Sequence, residues 1–125
     1  MTGPIALAEA YARAFHAGDA SALRGIFLPD CKLQFVDGDT LKCFQASAWI
    51  DIVASRPSQA AQGRPLDYRL ISVHMAGPAC AAVALEMAGD PGRRFSDVLH
   101  LLCINGDWKI VAKSFAVLPL GQVAA

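Results

Sequence analysis

The chain has 125 residues, 54% hydrophobic and 18% charged, and its eleven basic and eleven acidic side chains cancel. That length fits one domain around one core, and the neutral balance leaves no electrostatic footprint for nucleic acid or for an anionic membrane surface. No apolar run approaches the ~20 residues of a spanning helix and no basic region followed by a hydrophobic segment opens the chain, so a cytoplasmic protein that hides its apolar surplus in a pocket, a subunit interface or both is expected.

Residues 5–17 read as a helix, alanine-rich and free of interior Gly and Pro, with Leu7, Tyr11 and Phe15 or Ala14 on one stripe. Gly18 ends it. Asp19 is placed to cap a second, short helix whose Leu23, Ile26 and Phe27 form its apolar face before Pro29 stops it. Residues 31–36 and 40–44 read as two strands joined at Asp37-Gly38-Asp39, and residues 46–54 as a third helix with Trp49, Ile50 and Val53 apolar. Pro57, Gly63 and Pro65 make residues 55–65 a loop. Four strands follow, at 66–75, 79–88, 94–104 and 108–117, separated by Gly77-Pro78, by residues 89–92 and by Asn105-Gly106. Asn-Gly is the strongest short hairpin signal, since both central residues of a type I′ turn take positive φ. Helices first and an antiparallel meander later is α+β, a single domain over residues 1–125, with a frayed tail after Leu118.

Counted outward from regular turns, His100 faces Val111, Val98 faces Lys113, Ser96 faces Phe115, and His74 and His100 both fall opposite Ala81. One sheet face then carries His74, Ala81, Val83, Leu85, Met87, Val98, His100, Lys113 and Phe115. The other carries Ile71, Val73, Leu99, Leu101 and Ile110, with Phe95 among them and Arg69 and Glu86 as a cross-strand pair. Two apolar faces imply that one covers the helices while the other is buried in a second subunit, so a homodimer through Ile71, Val73, Leu99, Leu101 and Ile110 is expected. A single bulge reverses these assignments and moves Asp97 to the face given to His100.

Cys31, Cys43, Cys80 and Cys103 show no C-x-x-C pair or zinc-ligand spacing, so reduced thiols and no metal are expected. No P-loop, dinucleotide fingerprint or nucleophile elbow is present, and no cofactor is implied.

The stretches "YARAFHAGD", "LPDC" and "FSDVLHLLCINGDWKIVAKSF" resemble the nuclear transport factor 2-like superfamily. Within it, Asp97, Leu99, His100, Leu101, Gly106, Trp108, Lys109, Ile110, Val111 and Lys113 are similar to the putative lumazine-binding family, over Ile5 to about Val117. The resemblance implies a cone: a strongly curved sheet wrapped around helices, with an apolar cavity open at one end and commonly a homodimer. In related ketosteroid isomerases the strand position of a buried acid, aligned from the hairpin, falls at His100, which assigns His100's face to the cavity; a register shifted by one gives the place to Asp97. The resemblance also sets Tyr11 where such relatives hold an oxyanion-donating tyrosine, and His100 with His74 is similar to a scytalone dehydratase-like pair. Each has a plainer reading, as wall histidines and a core tyrosine, and the Asp37 and Asp39 turn needs no catalytic role. Lys113 is placed to meet an anionic or carbonyl group, or to snorkel to the rim, and Lys109 to face solvent.

The expected function is small-molecule binding in an apolar cavity, the ligand being apolar or aromatic and contacted by Tyr11, Phe15, Phe27, Trp49, His74, Val98, His100, Lys113 and Phe115. The alternative is an isomerase, dehydratase or cyclase that moves protons with His100 and Tyr11 or Asp97 as catalytic groups.

Overall fold

Local chemistry sets the helical half. In the computed structural model, which describes residues 3–89 and 92–119, α1 spans Pro4–Ala17 and Gly18 ends it in the left-handed region at φ 66°. A Cβ at Gly18 would stand 2.8 Å from the Ser58 Cβ, so both the backbone angle and the neighbouring loop require glycine there. Asp19 accepts the Ala22 N–H at 3.0 Å and starts α2 (Ala20–Ile26). Phe27 leaves the helix and opens β1 (Phe27–Asp37), which pairs through a turn at Gly38 with β2 (Thr40–Gln45). α3 (Ala46–Ser55) and a loop lead to β3 (Tyr68–Gly77), β4 (Cys80–Ala88), β5 (Arg93–Ile104) and β6 (Asp107–Pro119).

The six strands form one curved, unclosed sheet in the order β2-β1-β6-β5-β4-β3, parallel only between β1 and β6. Leu7, Tyr11, Leu23 and Ile50 of the helices meet Leu33, Val83, Leu85, Leu99, Leu101 and Ile110 of the strands in the core. Each such aliphatic side chain contributes about 1.5–3 kcal/mol by leaving water. Among the described residues no helix is long and apolar enough to cross a membrane. The tail expected to fray lies, beyond Pro119, outside the described residues, as do Asp90 and Pro91 of one turn.

One inserted residue decides what the sheet shows to each side. Asn105 (φ 53°) and Gly106 (φ 78°) both take positive φ, as a type I′ turn demands, and the counted register holds from Ile104↔Asp107 to Leu101↔Ile110. Val111 then has no partner: His100 pairs with Ala112, Leu99 with Lys113 and Asp97 with Phe115. The register counted from the turn is therefore corrected beyond Val111, because an extra residue in a period-two strand exchanges its faces. A similar offset on the neighbouring strands puts Ala82, instead of Ala81, opposite both His74 and His100. Leu99, Leu101 and Ile110, expected against a second subunit, are instead fully enclosed in the core. The anticipated Arg69 and Glu86 pair forms at 3.3 Å, with Arg94 on the same carboxylate at 3.2 Å.

Candidate functional site

The corrected register brings Asp97, Lys113 and Phe115 to the helix side of the sheet, where α1 supplies Tyr11 and Phe15 and α3 supplies Trp49. The elements enclose a pocket of about 400 Å³. Aromatic rings pair along its walls: Phe15 stacks on Trp49 with centroids 5.8 Å apart, and Phe35 stacks on Phe115 at 4.8 Å. Phe44 and Phe95 complete them, and the loop after α3 brings Arg56 and Arg64 to the mouth beside Arg93.

Three polar groups are locked together at the buried end. The Tyr11 hydroxyl donates to Asp97 Oδ2 at 2.6 Å and accepts from Lys113 Nζ at 2.7 Å, while Lys113 Nζ lies 3.7 Å from the same carboxylate oxygen. None is more than 5% exposed. Burial, with the neighbouring Asp97, holds the Tyr11 hydroxyl well above its ordinary pKa of 10.0. Burial also lowers Lys113 below 10.5, opposed by the attraction of Asp97. The nearby Cys31 thiol is pushed up to about 11 by burial, against the pull of Lys113. An ammonium in such a place needs compensation, and the rings give part of it: Nζ lies 4.3 Å from the Trp49 ring centre, 5.0 Å from Phe115 and 5.1 Å from Tyr11.

Hydrogen-bond capacity shows what remains for a ligand. Lys113 has three N–H donors and gives one to Tyr11. Tyr11 has committed its only proton to Asp97, which stands behind it and does not line the pocket. Asp97 Oδ1 has no hydrogen-bond partner among the described residues. The free capacity that faces the pocket is thus chiefly that of a donor.

Of the residues anticipated from sequence, Tyr11, Phe15, Trp49, Lys113 and Phe115 line the pocket. Phe27 is buried behind it, with its ring 5.6 Å from both Tyr11 and Trp49. His74, Val98 and His100 are exposed on the opposite sheet face, away from the pocket, because of the two register offsets. Asp37 stands in an adjoining outer hollow. Lys109 is half-buried near the hairpin, donating to the Gly25 carbonyl and 3.1 Å from Asp107. Sequence reasoning missed Phe35, Phe44, Phe95 and the three arginines. The alternation Phe95-x-Asp97-x-Leu99 was the available signal for one of them; Arg56 and Arg64 sit among loop residues that carry no periodicity, and Arg93 is the first residue of β5.

The family model described as putative lumazine-binding matches residues 5–116. The chain belongs to that family. Among solved structures, this lumazine-binding-like protein is similar to a nuclear transport factor 2-like protein of unknown function from Silicibacter pomeroyi, at 27% identity and TM-score 0.77, covering 90% of this chain and 91% of the other. A like protein from Shewanella baltica, also of unknown function, gives 20% identity and TM-score 0.78 over 92% and 90%. A ketosteroid isomerase-like protein from Erwinia carotovora atroseptica gives 18% identity and TM-score 0.65 over 90% and 92%. The fold is the nuclear transport factor 2-like cone. No curated protein matches the sequence of this family member.

Proposed function

We propose that the protein binds a small, flat, apolar or aromatic molecule in the pocket and holds an oxygen of it on Lys113. The observation that carries the reading is Lys113 itself: an ammonium 5% exposed, with one donor on Tyr11 and the others left beneath three aromatic rings that line the pocket. The flat stacks Phe15–Trp49 and Phe35–Phe115 support a planar body, and family membership supports a small-molecule ligand. Binding without chemistry is favoured because the Tyr11 proton is already held by Asp97 and, among the described residues, no carboxylate or imidazole lines the pocket. The 2.6 Å Tyr11–Asp97 contact favours a second reading, an isomerase, dehydratase or cyclase in which that pair moves a proton.

Trp49 makes binding visible as a change in fluorescence. Titration with 2-naphthol, an aromatic ring bearing one oxygen, is expected to saturate, and Lys113→Met to weaken binding ~10-fold or more, the usual value of a hydrogen bond to a charged group. No saturation, or equal affinity in the variant, overturns the reading. Turnover of an enolisable ketone, lost in Tyr11→Phe, would favour the catalytic one.

The assembly proposed is a homodimer through the outer sheet face, where Val98 and Leu102 are 46% and 39% exposed beside Ala82, Ala84 and Ala112. Sedimentation as a monomer at micromolar concentration would remove it. A cytoplasmic location is supported by four cysteines that are all free thiols.

A further inference from the structure

Among the described residues the pocket is lined by four cations and no carboxylate. Lys113 stands at the buried end, and Arg56, Arg64 and Arg93 stand at the mouth. The chain as a whole has equal numbers of acidic and basic residues, so this is a segregation of charge and does not follow from composition.

The pairing of arginines elsewhere sharpens the contrast. Arg24 meets Asp51 at 2.6 Å, Arg94 meets Asp67 at 2.8 Å, and Arg69 meets Glu86 at 3.3 Å. At the mouth, Arg64 donates to the backbone carbonyl of Gly89 at 2.8 Å and meets no carboxylate among the described residues. Arg56 and Arg93 are exposed, and their guanidinium groups have no hydrogen bond or ion pair among the described residues. Asp37 lies in the outer hollow that shares Phe35 and Arg93 with the pocket, yet makes no ion pair with Arg93.

We infer that the ligand is an organic anion: a planar body between the aromatic walls, an oxygen on Lys113, and an anionic substituent directed outward to the mouth arginines. This rests on the binding reading proposed above and adds the charge of the ligand and the direction in which it lies. Guanidinium groups match a carboxylate with two parallel donors, which an ammonium does not. Unpaired cations around a low-dielectric hollow also raise the local positive potential, drawing anions in and penalising cationic competitors. A neutral ligand would leave the three arginine charges of the mouth without a carboxylate among the described residues.

Two probes that differ only in the anionic group test this: 2-naphthol and 6-hydroxy-2-naphthoate, titrated against Trp49 fluorescence at low and at high salt. The carboxylate is expected to bind about tenfold more tightly at low salt, with the advantage shrinking as salt screens the exposed arginines. The exposed pair Arg56→Gln and Arg93→Gln, made together, is expected to erase the advantage, so that the two probes bind the variant with equal affinity. Equal affinity of the two probes for the wild-type protein, or an advantage that survives the double substitution, overturns the inference while leaving the binding reading intact. Failure of both probes to bind the wild-type protein removes the two together.

Discussion

Asp97→Asn takes one charge from a fully enclosed polar cluster and keeps an oxygen to accept the Tyr11 proton. What it removes is the compensation of Lys113, whose Nζ stands 3.7 Å from Asp97 Oδ2. At an effective dielectric constant of about 20, that separation corresponds to ~4.5 kcal/mol of attraction. A second route bounds the loss, because an uncompensated lysine can release its proton. Doing so near pH ~7 from an ordinary value of 10.5 costs at most ~4.8 kcal/mol, at about 1.36 kcal/mol for each pH unit. Burial already lowers Lys113 in the native protein, so the actual loss falls below that ceiling. The expected destabilisation is about 3–4 kcal/mol, within the range for one broken partner of a buried pair. Urea denaturation followed by tryptophan fluorescence should show the midpoint falling by roughly 1.5–2 M for a slope of about 2 kcal/mol/M. Near pH ~10 neutralising the lysine costs little, and the loss should shrink to about 1 kcal/mol or less. In a Lys113→Met background the same substitution should be neutral or stabilising. A loss under about 1 kcal/mol at neutral pH, or one unchanged in the Lys113→Met background, refutes the coupling on which the site description depends.

Leu99→Ala should cost about 2–5 kcal/mol by urea denaturation, since Leu99 is fully enclosed in the core. His100→Ala should change stability by no more than about 0.5 kcal/mol and leave 2-naphthol affinity unchanged; reduced affinity would contradict its outward position. Gly18→Ala should lower the melting temperature, at a cost of at least ~1 kcal/mol, because its φ is positive and the new Cβ meets Ser58. Between the lowered folded pKa of Lys113 and 10.5 the unfolded chain binds the extra proton, so stability gains with pH there, whereas the Tyr11 contribution is present below 10.0 and lost above it. Melting curves across that alkaline window should show the lysine's gain in wild type and its absence in Lys113→Met.

Element order and boundaries were legible in the sequence because the signals that set them are local. Gly18 can take a positive φ, Asp19 can accept an N–H three residues on, and Asn105-Gly106 can form a type I′ turn whatever surrounds them. Tyr11, Phe15 and Trp49 were legible for a related reason, since helical spacing shows which side chains share the buried face. The choice between His100 and Asp97 belonged to the tertiary structure. Nothing in the identity of Val111 marks it as unpaired, and a strand's period of two turns that one local event into an exchange of faces for every residue beyond it. The arginine mouth has the same origin in a different form. Arg56, Arg64 and Arg93 come from one aperiodic loop and the start of a strand, and only the packing of that loop against the open end of the sheet gathers their charges around Lys113.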